Sequence, residues 1–298
     1  MRIVDVRDLK APLNLVYLSL AGWICIRAVE NYLRLRFEWG ASLTYVGIVF
    51  GIYTVNRLTD TVEDFTNDVG RLLFFRHKHA FFFLAVFSLA ASTAWLLWAG
   101  KLNWVHYLLL SIGIAYSFRI IPWYGPSGLY WTRVKEMIVL KNLSVAFLWS
   151  TSIFLVPILY AGADGVDKSR VWLLAIGFAV CTLNNTLFDD IVDEPGDRVA
   201  GIKTVPTVWG PQSAILFLMG IDALWIVTAC VLSIAYRLGI GHMAFLAGMG
   251  LYPLVYLIPH LRTVRGAKAV PSQRVVVGTL VEAYLLCFAA GMFLISQR

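Results

Sequence analysis

The sequence predicts an all-α integral membrane protein of about nine transmembrane helices arranged around a central cavity, and three observations carry the membrane helices. Of its 298 residues 59% are hydrophobic and 14% charged, whereas a soluble domain carries about 25% charge. Apolar runs near the roughly 20 residues that span a bilayer recur from end to end, and the mean hydropathy is +0.72. The basic residues are also unevenly shared between the connections on alternate sides. The cavity is an expectation that comes with the resemblance described below.

The runs fall at residues 11–28, 40–56, 80–100, 103–120, 138–160, 171–188, 213–236, 241–262 and 274–296. Each is expected to be helical, because lipid cannot satisfy a backbone that lacks internal hydrogen bonds. No long stretch is free of such runs, so 1–298 reads as a single polytopic membrane domain. The basic start, with Arg2, Arg7 and Lys10, has no convincing cleavage site after it, and a retained first helix is expected. With the N-terminus inside, 17 of the 25 Lys and Arg face the cytoplasm and 8 face away. That is the positive-inside tendency, with an odd number of spans. The net charge of +7 therefore reads as topology and contact with membrane lipids. No basic patch interleaved with aromatics points to nucleic acid.

Cys25, Cys181, Cys230 and Cys287 lie inside apolar runs at no metal-ligand spacing and read as small buried hydrophobes. His77 and His79 read as interfacial residues rather than metal ligands.

The informative residues are carboxylates. Nine of the 18 Asp and Glu sit in two short segments. The first runs from Asn56 through Asp60, Glu63 and Asp64 to Asp68. The second runs from Asn185 through Asp189, Asp190, Asp193 and Glu194 to Asp197. Each lies at the cytoplasmic end of a span. Asn56, Asp60 and Asp64 are four residues apart, drifting about 40° per step, and share one helix face. Asn185, Asp189 and Asp193 do the same. Pro195 and Gly196 are expected to end the second helix, leaving Asp197 on a loop.

Crowded carboxylates repel one another and pay for desolvation at membrane depth. Cations among them remove both costs. Oxygen ligands with retained water suit Mg²⁺, particularly when a phosphorylated substrate completes the coordination. The basic residues Arg57, Arg71, Lys135, Lys141 and Lys203 are expected nearby, on the same side of the membrane, to clamp remaining phosphate charge. The plainer reading is a pair of solvated loop-end clusters; two matched i, i+4 stripes argue against it.

Asn56-x-x-x-Asp60-x-x-x-Asp64 resembles the first motif of the UbiA superfamily of intramembrane prenyltransferases. Asp189-x-x-x-Asp193-x-x-x-Asp197, continuing through Arg198, Gly201, Lys203, Thr204 and Pro206, is similar to the second. Tyr116-Ser117, Lys135 and Lys141-Asn142 look like the family's segment between the fourth and fifth helices. The resemblance implies nine helices around a cavity, with Mg²⁺ bridging both motifs to a prenyl diphosphate. Asn56, Asp60, Asp64, Asp189, Asp193 and Asp197 would hold the metal or its water. Asp60, Asp64, Asp189 and Asp193 would then be the catalytic set. Asn56, Arg71, Tyr116, Lys135, Lys141, Asn185 and Lys203 would bind the substrate. Two features depart from the family pattern. Arg57 stands where an acidic residue commonly follows the Asn, and the basic, proline-containing stretch after that motif is absent. Both point away from the quinone, haem and chlorophyll branches, and the lipophilic acceptor stays open.

The chemistry implied is ionisation of an allylic diphosphate, with Mg²⁺ and cationic side chains stabilising the departing group. The carbocation needs a water-poor cavity, and Tyr53, Tyr116, Trp149 and Phe188 are available aromatic faces; for each, core or lipid packing is the plainer role. The cation then meets an acceptor, or attacks itself as in a terpene cyclase. Transfer of a CDP-activated head group needs an Asp-Gly start and an Ala-Arg pair that neither segment has. A transporter would place its acids near the midplane, not at one surface.

Overall fold

The computed structural model describes residues 6–59, 77–125, 128–162, 165–199, 201–264 and 271–297. Helices cover each expected run. In chain order they are α1 (Val6–Tyr32), α2 (Trp39–Thr59), α3 (Lys78–Trp98), α4 (Trp104–Ser117), α5 (Leu140–Ser150), α6 (Val156–Ala161), α7 (Lys168–Val199), α8 (Val205–Trp209), α9 (Pro211–Ala235), α10 (Ile240–Val264) and α11 (Pro271–Ser296). Among the described residues, six helical segments are long and apolar enough to cross a membrane: Leu13–Tyr32, Lys78–Trp98, Leu140–Ala161, Lys168–Val199, Pro211–Ala235 and Ile240–Val264. The chain is an integral membrane protein. Exposed Phe83, Phe87, Leu97, Leu224 and Ile234 on these helices are what a lipid-facing surface requires, since tails accept apolar side chains that water would not. The same argument corrects the reading of one thiol: Cys25 and Cys181 are buried, but Cys287 is exposed.

The chain divides into two compact units. One comprises Met1–Trp23, Glu38–Lys141 and Pro195–Lys203; the other comprises Ile24–Phe37, Asn142–Glu194 and Thr204–Arg298.

In the first unit α2 packs tightly on α3 and more lightly on α4. Two glycines permit the close approach. A methyl group at Gly47 would collide with Ser92 Oγ, and one at Gly51 would sit 2.5 Å from Leu89 Cγ. Small residues four apart are how membrane helices bring their backbones together, and Ser88 Oγ donates to Gly47 O at 2.8 Å across this seam. After α4 the chain forms an antiparallel hairpin not foreseen from the sequence, β1 (Ile121–Gly125) and β2 (Gly128–Thr132). A 3₁₀ turn at Val134–Glu136 packs back against α4.

In the second unit α9 and α10 pack along their lengths. Trp225 Nε1 donates to Leu246 O at 2.9 Å. Phe178 of α7 meets Phe288 of α11 edge to face at 4.6 Å between ring centroids, and Phe154 joins both. The α5–α6 segment widens into a π-turn at Thr151–Leu155 just ahead of Pro157. Proline has no N–H to return to the carbonyl four residues back, and a wider turn absorbs the mismatch.

Candidate active site

The second Asp-rich motif rides on α7. Its helix runs unbroken from Lys168 to Val199 with Pro195 inside it, which corrects the expected loop. Asp197 is helical and buried. A proline costs the helix one hydrogen bond, to the carbonyl of Ile191, and membrane helices tolerate that loss. The helix closes after Asp197, whose carbonyl accepts from Ile202 N at 2.8 Å, with Gly201 at φ +70°. Only a glycine takes that conformation without strain.

On the α7 face, Asn185 and Asp193 are half-buried and Asp189 is exposed. What aims this face lies on its flanks. Asn142 of α5 donates through Nδ2 to Asp190 Oδ2 at 2.9 Å, with the two residues 1% and 4% exposed. Asn184 donates through Nδ2 to Asp222 Oδ1 of α9 at 2.8 Å, and both are 0% exposed. Asn184 precedes Asn185 and Asp190 follows Asp189, each about 100° around the helix from its neighbour. The two pairs bracket the stripe, and turning α7 about its axis breaks both. Sequence reasoning missed this pinning. The signal was there in Asp222, the one acid inside the 213–236 run, since an ionisable residue within a span calls for a named partner.

In the first unit, Asn56 is half-buried near the end of α2. Tyr116 ends α4, Lys135 is buried in the 3₁₀ turn, and Lys141 is half-buried in the first turn of α5. Lys203 is exposed just before Thr204, whose N–H donates to Thr207 Oγ1 at 2.7 Å and so opens α8. Asp60, Asp64 and Arg71 lie outside the described residues. Of the aromatics considered, Phe188 is packed 5.0 Å from both Tyr256 and His260 and Trp149 is buried.

The oxygen donors fit Mg²⁺ on one observation. Asn56 Oδ1 and Asn185 Oδ1, each the first donor of its stripe, are buried with no hydrogen-bond donor among the described residues, as are Asn142 Oδ1 and Asn184 Oδ1 on the flanks. An unsatisfied buried carbonyl costs about 1–3 kcal/mol, and a cation or its bound water would remove that cost. Among the described residues no three His, Cys, Asp or Glu side chains converge into a metal site.

No family model matches the sequence. The digeranylgeranylglyceryl phosphate synthase of Methanothrix thermoacetophila is 28% identical over 204 residues, 67% of this chain and 68% of that protein. The enzyme of the same name from Methanoculleus marisnigri is 31% identical over 158 residues, 52% of this chain. The second match spans half of that relative's length. Among solved structures, a UbiA homologue from Archaeoglobus fulgidus bound to GPP and Mg²⁺ superposes with a TM-score of 0.62 at 14% identity, over 96% of this chain and 99% of the other. This chain has the UbiA fold. The likeness in fold covers nearly the whole chain.

Proposed function

We propose that this protein is a Mg²⁺-dependent intramembrane prenyltransferase that ionises a prenyl diphosphate and passes the prenyl group to a lipophilic acceptor. The observation that carries the proposal is the oxygen-rich α7 face, held toward its ligand by two buried pairs and opened by the bare carbonyl of Asn185. The matched synthases act in the same sense. In this reading the chain is one membrane domain of nine crossings, with its N-terminus and both Asp-rich motifs on the cytoplasmic side.

Asn56, Asp60, Asp64, Asp189, Asp193 and Asp197 hold the metal and its water. When bound, Mg²⁺ supplies positive charge against the departing diphosphate. Lys141 and Lys203, with Arg71 and Lys135, bind the phosphate oxygens as point charges. Tyr116, at the end of α4, positions the chain beside the reacting carbon. The C1–O bond breaks with its electron pair leaving on the diphosphate. The acceptor's nucleophilic atom bonds to C1 and releases its proton. Apolar surroundings keep water from capturing the cation first.

The names of the relatives make geranylgeranyl diphosphate and a geranylgeranylated glyceryl phosphate the first donor and acceptor to try. The test is product analysis of purified protein supplied with Mg²⁺ and prenyl diphosphates of several lengths, with and without acceptor lipids. Acceptor-dependent prenylation that EDTA abolishes is the expected result. A cyclic hydrocarbon or terpene alcohol formed without acceptor would replace this reading with a terpene cyclase. Silence under every condition would overturn both.

A further inference from the structure

The β1–β2 hairpin presents an apolar face that its own unit does not cover. The strand register pairs Pro122 with Trp131 and Tyr124 with Leu129, while Trp123 pairs with Tyr130 and Ile121 with Thr132. Side chains alternate across a strand, so Pro122, Tyr124, Leu129 and Trp131 share one face. Tyr124 is 81% exposed, Leu129 66% and Trp131 59%. The other face is less exposed, with Trp123 at 48% and Tyr130 at 45%, and it ends in buried Thr132.

The hairpin is braced rather than loose. Glu136 accepts from Arg119 Nη2 at 2.8 Å, from Thr132 Oγ1 at 3.0 Å and from Arg133 Nε at 3.1 Å. One carboxylate thus ties the end of α4, the end of β2 and the 3₁₀ turn together. Burial alone would raise the pKa of Glu136, but these hydrogen bonds and the charges of Arg119 and Arg133 outweigh it and hold the carboxyl below its usual range.

Two facts say what covers the face. The chain passes from the apolar helix α4 to Ile121 in four residues, at most roughly 14 Å of extended backbone, and Glu136 keeps the hairpin at that helix end. The thirteen residues from Ile120 to Thr132 carry no charge at all. A strand edge bathed in water is ordinarily defended by charge, and a two-stranded hairpin with an open apolar face is marginal there. Trp and Tyr are instead the side chains that settle at the headgroup level of a bilayer. On α4 itself, Tyr107 and Ile114 are also exposed.

The geometry points to the headgroup layer of the surrounding bilayer as the occupant of this face, with Tyr124, Leu129 and Trp131 inserted as an interfacial anchor. The full chain is tested in liposomes, in a background with Cys230→Ala and Cys287→Ala. Tyr124→Cys and Leu129→Cys variants each receive a nitroxide, and Ser169→Cys at the exposed start of α7 serves as the reference. Collision with oxygen and with a water-soluble nickel chelate is read by electron paramagnetic resonance. At Tyr124 and Leu129 oxygen collisions should exceed nickel collisions, the reverse of the Ser169 position. Nickel access equal to that of Ser169 would overturn the anchor, and so would protection from both reagents, which marks a protein partner. The two positions report on one face independently, so failure of either variant to fold leaves the other to decide.

Discussion

Two sets of polar side chains on α7 have nearly the same composition and opposite fates. On the flanks, Asn184 and Asp190 are buried and bonded to neighbouring helices at 2.8 and 2.9 Å. On the face between, Asn185, Asp189 and Asp193 are half-buried or exposed, while the amide carbonyls of Asn184 and Asn185 alike have no donor among the described residues. The flank pairs hold the helix, and the face between them is where we propose that the metal binds. Adjacent asparagines and adjacent aspartates thus divide structure from chemistry, and a one-residue shift along the helix, about 100°, decides which task each takes.

That division is broken most severely from the front. Asp193→Ala should reduce prenyl transfer by at least about a hundredfold, the scale of losing one group that stabilises developing charge, with an unchanged melting temperature in detergent. Loss of melting temperature in step with activity would mean that the front residue is structural. From the flank the order reverses. Asn184→Leu leaves Asp222 buried without its donor and should cost about 1–3 kcal/mol, read as a lower thermal midpoint, while Asn184→Gln tests whether a longer amide restores it. A smaller effect sharpens the front set: Asn185→Ala should weaken the apparent Mg²⁺ affinity by about tenfold and leave the maximal rate nearly intact at saturating metal. An unchanged metal dependence would remove Asn185 from the ligand set.

The smallest effect concerns the hairpin brace. Glu136 has its pKa lowered in the fold, so its contribution is complete above the ordinary carboxylate range and fades as pH falls through the lower folded value. A nitroxide at Leu129 should gain mobility over that acid range. Glu136→Gln should show the greater mobility at neutral pH and remove the acid step; a step that persists would assign it to another group.

Much of this was legible in the sequence because lipid is an unforgiving solvent. Every apolar run had to be a helix, and the four-residue spacing of Asn185, Asp189 and Asp193 fixed their common face. The π-turn before Pro157 and the passage of α7 through Pro195 were not legible, since a proline leaves a helix the choice of stopping, widening or continuing, and packing decides. The number of crossings blurs for a related reason. Six segments meet the length and apolarity of a span, whereas α4 is 14 residues long. The hairpin escaped notice because Trp123, Tyr124, Tyr130 and Trp131 fall between the runs 103–120 and 138–160, although Gly125 and Gly128 between them were a strand signal. Asp222 escaped because attention went to clusters, and it is a single acid whose partner is 38 residues away.

The most direct test of the central claim, that the α7 face recruits a divalent cation while its flanks do not, is a Mn²⁺ titration of the purified protein with geranylgeranyl diphosphate present, followed by the resonance of free Mn²⁺. Saturable binding that Asp189→Ala or Asp193→Ala weakens by about tenfold or more, and that a folded Asn142→Gln variant retains, is the predicted result. Equal Mn²⁺ binding by the wild type and both front-face variants would contradict it.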